Sequence, residues 1–448
     1  MIPDKWRDGE VAVVGLGRSG VAATRFLVAS GLRVYVSDNA ASEAVRTRAA
    51  ELAGPGVTVD VGRHDLDRIR CSSVVVTSPG VPPQAPPLRA ARSAGRDIIA
   101  ELDLAAMQLD KARLIVVTGT NGKTTTTALI AHLLREAGES AEAAGNIGVP
   151  LIEVASRPVR PKWIAVEASS FQLHDSPHLT PTIGVITNLA PDHLDRYESV
   201  AAYYADKRNL FRRATIEAVW VLNGDDPALL HLAEGVVGEH LHWSLQHHAD
   251  GWYDRSKGQL LLGGQVLLPR AEIALLGDHN VANSLAAAIA VRAAGIGITA
   301  ISRGLLCFRP LPHRLEPVRD VDGTVWINDS KATNISSALV AVAAMDRPYV
   351  LIMGGRPKGG GFTQLVDSLA TNCRAVVAYG EARGAIEQDL RGVVRVLGAA
   401  DFSEAVGLAK ESALKGDVVL LSPACASFDQ FSSYEERGDV FRRIVESL

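Results

Sequence analysis

Cysteine is scarce in this chain: four residues in 448, at positions 71, 307, 373 and 425. None has a Cys-x-x-Cys neighbour, which argues against a structural zinc and a disulfide framework and fits a reducing cytosol. No block of Lys and Arg occurs and the net charge is −4, so nucleic acid is not an expected partner. Residues 1–10 are polar and lack the apolar core of a signal peptide. The longest weakly polar stretch, residues 281–298, is Ala-rich and broken by Asn283, Ser284 and Arg292; it reads as a packed helix rather than a membrane span. Lysine is also rare, ten against 36 arginines. A lysine inside a motif is therefore expected to serve as a compact ammonium or a reactive amine, and Lys123, Lys207, Lys331 and Lys358 all lie in motifs.

What is present is dominated by Leu114-Ile-Val-Val-Thr-Gly-Thr-Asn-Gly-Lys-Thr-Thr-Thr-Thr127. An apolar strand runs into a Gly-containing turn, then Lys123 and Thr124, then a helix expected over 128–137. Backbone N–H groups of such a turn and the helix N-terminus cradle phosphate oxygens. Lys123 would reach the β- and γ-phosphates and the Thr124 hydroxyl would ligate Mg²⁺. The turn, Gly119-x-x-Gly122-Lys123, is about two residues shorter than the usual Gly-x-x-x-x-Gly-Lys loop. A nucleoside triphosphate is the expected ligand.

The length suits about three domains, and three segments share a strand–helix rhythm, expected at 1–101, 102–310 and 311–448. Such alternation predicts an α/β protein with mainly parallel sheets. In the first segment a strand at 10–14 leads into Gly15-x-Gly17-x-x-Gly20, and a second strand ends at Asp38. This is the layout of a dinucleotide-binding βαβ unit with an acidic residue for a ribose hydroxyl, and alone it suggests NAD. A third strand ends in Ser78-Pro79-Gly80, at a ligand-crevice position.

Other groups carry chemistry less decisively. Glu167 ends an apolar strand in the phosphate-turn segment, where a Mg²⁺ ligand is expected. His193 follows another apolar strand; a lone His is more often structural than metal-bound. Lys207, inside a helix expected over 200–213, reads by itself as a surface lysine. Asn280 and Asn283 share a helix face, and helix capping is the plain explanation. Asn328-Asp-Ser-Lys331 follows a strand and suits a phosphate or carboxylate ligand. Lys358 lies in a Gly-rich loop where backbone can approach a ligand, and Ser427 and Phe428 follow the strand ending at Ser422.

In order, Gly119-x-x-Gly-Lys-Thr, Glu167-x-Ser-Ser-Phe-Gln, Asp192-His-x-Asp-Arg, Tyr204-x-x-Lys207, His279-Asn-x-x-Asn, Pro312-His-Arg314 and Asn328-Asp-Ser-Lys resemble the Mur ligases. These are ATP-dependent amide-forming enzymes of peptidoglycan synthesis, to which folylpolyglutamate synthases are related. The resemblance covers essentially the whole chain. It implies a Rossmann-like N-terminal domain that holds UDP rather than NAD, a central P-loop ATPase-like domain, and a Rossmann-like C-terminal domain. Gly15-x-Gly-x-x-Gly with Asp38, Leu311-Pro-His-Arg314 and Ser422-Pro-Ala-Cys-Ala-Ser-Phe-Asp-Gln-Phe431 point to the branch that adds D-glutamate to UDP-N-acetylmuramoyl-L-alanine. The Asp-Asn-Pro-Arg signature of the branch adding the third residue is absent.

By this resemblance the ATP site comprises Gly119, Thr120, Asn121, Gly122, Lys123, Thr124, Thr125, Asn280, Asn283, Arg314 and Asp329. Lys123, His193 and Lys207 are the implied catalytic set. Thr124, Glu167, His193 and a carbamylated Lys207 would hold two Mg²⁺ ions, with Mn²⁺ as an alternative. Gly17, Arg18, Ser19, Asp38, Ser78, Pro79, Gly80 and Asn146 would bind the UDP substrate. Lys331, Thr333, Lys358, Ser427, Phe428 and Tyr434 would bind D-glutamate. A cytoplasmic monomer acting on small molecules, with no membrane span, is expected. Another Mur ligase, or a folylpolyglutamate synthase-like ligase, remains open as an alternative.

Overall fold

The structure is a computed structural model that describes residues 2–109, 112–192 and 196–448. It contains three sheets. The first is built from β1 (Glu10–Val14), β2 (Arg33–Asp38), β3 (Val57–Val61), β4 (Val74–Thr77) and β5 (Ile98–Ala100), in the order β3-β2-β1-β4-β5. All its pairings are parallel. The apolar runs of β1 and β4 are buried throughout from Val11 to Val14 and from Val74 to Val76, as strands covered on both faces must be.

The second sheet holds β6 (Arg113–Thr118), β7 (Ala141–Gly145), β8 (Trp163–Glu167), β9 (Ile183–Ile186), β10 (Val219–Asn223), β11 (Glu239–Ser244), β12 (Gly251–Asp254), β13 (Gln259–Leu262) and β14 (Gln265–Pro269). Their order is β14-β13-β12-β11-β10-β9-β6-β8-β7. Pairing is parallel from β7 across to β12 and antiparallel over the last two junctions. The turn from β13 to β14 is Gly263-Gly264, both with positive φ (57° and 77°), as a two-residue hairpin favours. The third sheet comprises β15 (Glu316–Val321), β16 (Thr324–Asn328), β17 (Tyr349–Gly354), β18 (Cys373–Tyr379), β19 (Val396–Gly398) and β20 (Val418–Leu421), ordered β15-β16-β20-β17-β18-β19. Only its β15–β16 edge is antiparallel.

The chain divides into two compact units, one of residues 1–272 with 282–307, the other of residues 273–281 with 308–448. The first unit carries the first two sheets, and one buried apolar cluster runs through both, from Val11 and Leu27 to Leu102, Leu151 and Ile164. Two carboxylates stitch their junction. Glu101 Oε1 accepts from the Ile152 N–H at 2.7 Å, and Asp103 accepts from His178 N at 2.6 Å and meets its Nδ1 at 2.8 Å. The second unit is built around the third sheet, with its own clusters on either face.

The strand–helix alternation holds, with local differences. The helix after the phosphate turn begins at Lys123, not near residue 128, and runs to Glu136. The helix expected over 200–213 is α-helical from Val200 to Arg208 and closes with a 3₁₀ turn, Asn209–Phe211. The Ala-rich stretch forms the helix Asp278–Ala293, with Leu285–Val291 buried. Among the described residues no helix is long and apolar enough to cross a membrane. All four cysteines are free thiols.

Candidate active site

In the second sheet β6 lies between β8 and β9, although in sequence it precedes both. Strand order therefore reverses beside β6, and an open parallel sheet forms its ligand crevice at the carboxyl ends of strands flanking such a point. The phosphate turn follows β6, Glu167 ends β8, and residues 187–192 follow β9.

The turn needs its glycines for two different reasons. Gly119 has φ 140° and a Cβ there would lie 1.9 Å from Thr187 Oγ1; Gly122 has φ 82° and a Cβ would lie 2.3 Å from Asn283 Oδ1. Any larger residue would be strained and would also push away a neighbour. Asn283, buried, meets Thr126 Oγ1 at 3.2 Å. Lys123 Nζ donates to Gly119 O at 2.9 Å and to Thr120 O at 2.8 Å.

Lys207 is not a surface residue. It is 1% exposed, and its Nζ donates to Gly119 O at 2.7 Å, so the isolated reading of this lysine is corrected. The amine also lies 4.5 Å from the centre of the Tyr203 ring. Burial, and then the nearby Lys123 charge, hold the Lys207 amine well below its ordinary pKa, which favours the neutral, nucleophilic form. Its helix is pinned through Asp206, whose carboxylate meets His174 Nδ1 at 2.7 Å and accepts from the Tyr197 hydroxyl at 2.9 Å.

Glu167 is buried; Oε1 accepts from Asn146 Nδ2 at 2.8 Å, while Oε2 is buried with no hydrogen-bond partner among the described residues. An orphaned carboxylate oxygen beside a phosphate turn fits a hard cation, and the Thr124 hydroxyl is the same kind of donor. His193 lies outside the described residues, and among those described no cluster of three His, Cys, Asp or Glu forms a ready-made metal site. Asn146, expected on the UDP substrate, is placed against Glu167.

At the carboxyl ends of β1, β2 and β4 lies a cavity of about 710 Å³, lined by Gly17, Arg18, Ser19, Asp38, Ser78, Pro79 and Gly80 and also by Asn39, Arg48 and His64. Gly20 packs so closely that a Cβ would lie 1.8 Å from Gly15 O, whereas nothing lies within 4 Å of a Cβ at Gly17. The first glycine serves packing and the second leaves room for a ligand. Asp38 braces the turn: Oδ2 accepts from Leu16 N at 2.7 Å and Oδ1 from Ala40 N at 2.8 Å. The Arg18 guanidinium donates to Gly148 O in the second sheet's Asn146–Gly148 loop. Arg48 and His64 stand in no motif, so the sequence carried no signal for them.

In the second unit the expected D-glutamate residues form two contacting pairs. Lys358 Nζ donates to Thr333 Oγ1 at 3.0 Å, and Lys331 Nζ sits 3.7 Å from the centre of the Tyr434 ring. Ser427 is buried and Phe428 is 61% exposed. Asp329 accepts from Ser422 Oγ at 2.9 Å and Leu315 N at 3.2 Å, and burial pushes its carboxyl up to about 7. Asn280, also in this unit, donates to Leu276 O at 2.8 Å. Arg437, which no motif announced, is fully buried and donates to Ser330 Oγ at 2.9 Å, Ser330 O at 2.8 Å and Cys425 O at 3.2 Å. It ties the loop carrying Lys331 to the loop carrying Ser427.

Two Gly-rich βα turns at sheet switch points, with a buried carboxylate and a buried amine at one of them, suit a nucleotide-binding α/β enzyme, and comparison gives its family. Residues 9–100 match the Mur ligase MurD-like N-terminal domain, 117–291 the Mur ligase middle domain and 313–425 the Mur ligase glutamate ligase domain. The fold is similar to UDP-N-acetylmuramate-alanine ligase MurC from Thermotoga maritima (TM-score 0.64, 18% identity, 98% of this chain and 99% of that one). It is likewise similar to MurF from Acinetobacter baumannii (TM-score 0.63, 16% identity, 92% and 90%). The chain belongs to the Mur ligase family of ATP-dependent ligases.

Among its relatives, proteins named UDP-N-acetylmuramoylalanine--D-glutamate ligase match end to end. The one from Koribacter versatilis is 38% identical over 450 residues, 99% of this chain and 98% of its own. The one from Gloeobacter violaceus is 40% identical over 442 residues, 98% and 99% respectively.

Proposed function

We propose that this chain joins D-glutamate to UDP-N-acetylmuramoyl-L-alanine in peptidoglycan synthesis, at the cost of ATP. The observation that carries the reading is the 38% identity, over 99% of the chain, to a ligase of that name. The alanyl carboxylate attacks the γ-phosphorus of ATP and ADP leaves. The D-glutamate amine then attacks the acyl phosphate, and phosphate departs from the tetrahedral intermediate.

Each chemical demand has a candidate group. Lys123, at the start of the helix after the turn, offsets charge on the transferring phosphoryl group, the main contribution a protein can make to such a step. Glu167, Thr124, a carbamylated Lys207 and His193 are assigned to two Mg²⁺ ions, which supply charge neutralisation on the phosphates. Carbamylation needs a neutral amine and yields an oxygen ligand; the burial of Lys207 supports this assignment. Asn283 and the turn residues Gly119 to Thr125 are assigned to ATP, and the family resemblance assigns Asn280, Arg314 and Asp329 to the same ligand. The cavity at Gly17, Arg18, Ser19, Asp38 and Ser78 to Gly80 is assigned to the UDP part of the substrate, and Asn146, which donates to Glu167, to the same substrate.

The pairs Lys358–Thr333 and Lys331–Tyr434, with Ser427 and Phe428, are assigned to D-glutamate, whose two carboxylates need cationic and polar partners. Domain boundaries at 101/102 and 310/311, and a cytoplasmic monomer, complete the proposal. The test is phosphate release across a panel of amino acids with UDP-N-acetylmuramoyl-L-alanine. D-Glutamate should give the fastest ATP-dependent amide formation. Faster turnover with L-glutamate, L-lysine or meso-diaminopimelate would overturn the specificity.

A further inference from the structure

The phosphate turn is short, and the Lys123 and Lys207 amines on its carbonyls are only part of what holds it. Further bracing comes from residues 187–190, which follow β9, the strand paired with β6. Asn188 contributes most. Its Oδ1 accepts from Asn121 N at 2.9 Å, its Nδ2 donates to Asn121 O at 3.1 Å, and its backbone O accepts from Thr120 N at 3.0 Å. On either side Thr187 Oγ1 donates to Asn121 O at 2.5 Å, and Thr120 Oγ1 and the Ala190 backbone exchange two bonds of 3.0 Å. The brace is itself anchored: Leu189 N donates to Asp226 Oδ2 at 2.8 Å, while Asp226 Oδ1 caps the helix Pro227–Leu232 through Leu229 N at 3.1 Å.

The N–H groups of Thr120 and Asn121 are thus engaged by the backbone and side chain of Asn188, so a residue far along the sequence fixes the path of the turn. A peptide unit gripped at both its N–H and its C=O neighbours cannot swing away, so the following Gly122 and the helix N-terminus at Lys123 are presented in one orientation. Because the ligand meets a turn already ordered, binding does not have to supply the ordering entropy.

We propose that Asn188 is a positioning residue for the triphosphate, acting through Thr120 and Asn121 without touching the reacting atoms. The proposal rests on the assignment of the turn to ATP. Asn188 is partly exposed, so its replacement is compatible with folding. Asn188→Ala removes both side-chain bonds; Asn188→Asp keeps the acceptor, removes the donor and adds a negative charge beside the phosphates.

The experiment compares the full-length wild type, both variants and Lys123→Ala. It measures KM for ATP, for UDP-N-acetylmuramoyl-L-alanine and for D-glutamate, together with binding of a non-hydrolysable ATP analogue and the melting temperature. For Asn188→Ala the ATP KM and the analogue Kd should rise about tenfold or more, the worth of two lost hydrogen bonds, with Asn188→Asp worse. The other two KM values and the melting temperature should stay at wild-type values, a split that a merely structural residue would not produce. An unchanged analogue Kd overturns the proposal, and so does a parallel rise of all three KM values with a fall in melting temperature. Full ATP-dependent turnover by Lys123→Ala would instead remove the ATP assignment of the turn, whatever the Asn188 variants do.

Discussion

The first unit contains two Gly-rich βα turns of similar appearance, Gly15-x-Gly17 after β1 and Gly119-x-x-Gly122 after β6, and they are completed in opposite ways. At the first, an acid closes the turn: Asp38 accepts the Leu16 and Ala40 amides. Nearby cations, Arg18 and Arg48, make backbone contacts. At the second, two lysine amines converge on Gly119 O, and an asparagine, Asn188, holds the Asn121 amide where an aspartate held the Leu16 amide. Glycines only permit the bend. What the bend receives is decided by the groups that neighbouring strand ends deliver to it, and two amines beside an orphaned carboxylate oxygen suit a metal-bound triphosphate far better than a ribose.

The sharpest way to break this contrast is to strip the second turn of its charge. Lys123→Ala should lower turnover by on the order of 10³ or more, while UDP-substrate binding, measured by calorimetry, persists. Equal loss of both would mean that the two turns are one site.

A slightly smaller loss is expected when the second amine is replaced by a guanidinium, which cannot be modified. Lys207→Arg should cost on the order of 10² to 10³ in kcat, because a guanidinium can neither become an oxygen ligand nor fit the buried space at Gly119 O. Lys207→Ala should regain part of its rate on adding short carboxylic acids. A fully active Lys207→Arg enzyme would refute the carbamate.

At the first turn the expected effect is more modest. Asp38→Ala removes two amide acceptors and should weaken UDP-N-acetylmuramoyl-L-alanine binding by about tenfold, leaving the ATP KM unchanged. Neither NAD nor NADP should bind in calorimetry. Tight NAD binding without UDP-sugar binding would reverse the division of labour between the turns.

How far these sites could be read beforehand depended on whether their partners were contiguous. The phosphate turn, Glu167 at the end of β8 and the Gly15 turn were legible because strand, glycine and polar residue follow one another within a few positions. Lys207 was singled out only by the family resemblance; by itself it read as a surface residue, because the Gly119 carbonyl that its amine meets lies 88 positions away. Arg437 and Asn188 were missed for the same reason: each looks like an ordinary polar residue until distant backbone is folded against it. The helix start at Lys123 was placed late because Thr124 to Thr127 are β-branched and poor helix formers; the tertiary site overrides that preference. Strand β7, Ala-Glu-Ala-Ala-Gly, carries almost no strand signal and exists because β8 offers it an edge.

The effect expected to be smallest for catalysis concerns the junction that keeps both turns in one unit. Glu101 is buried between the first two sheets, with Oε1 on Ile152 N and Oε2 without a partner among the described residues. Burial pushes its carboxyl up from 4.5 to about 7. A carboxyl raised in the folded state binds its proton more tightly there than in the unfolded chain. Its contribution to stability is therefore fully present below pH 4.5 and is lost as pH rises through about 7. The shift corresponds to at most about 3 kcal/mol between those limits. Glu101→Gln keeps the acceptor for Ile152 and cannot ionise. Its melting temperature should match the wild type near pH 5, exceed it near pH 8, and vary less with pH between them, with kcat unaltered. The same difference in melting temperature at both pH values would show that the Glu101 carboxyl titrates alike in the folded and unfolded chain, and that the junction joining the two turns is indifferent to pH.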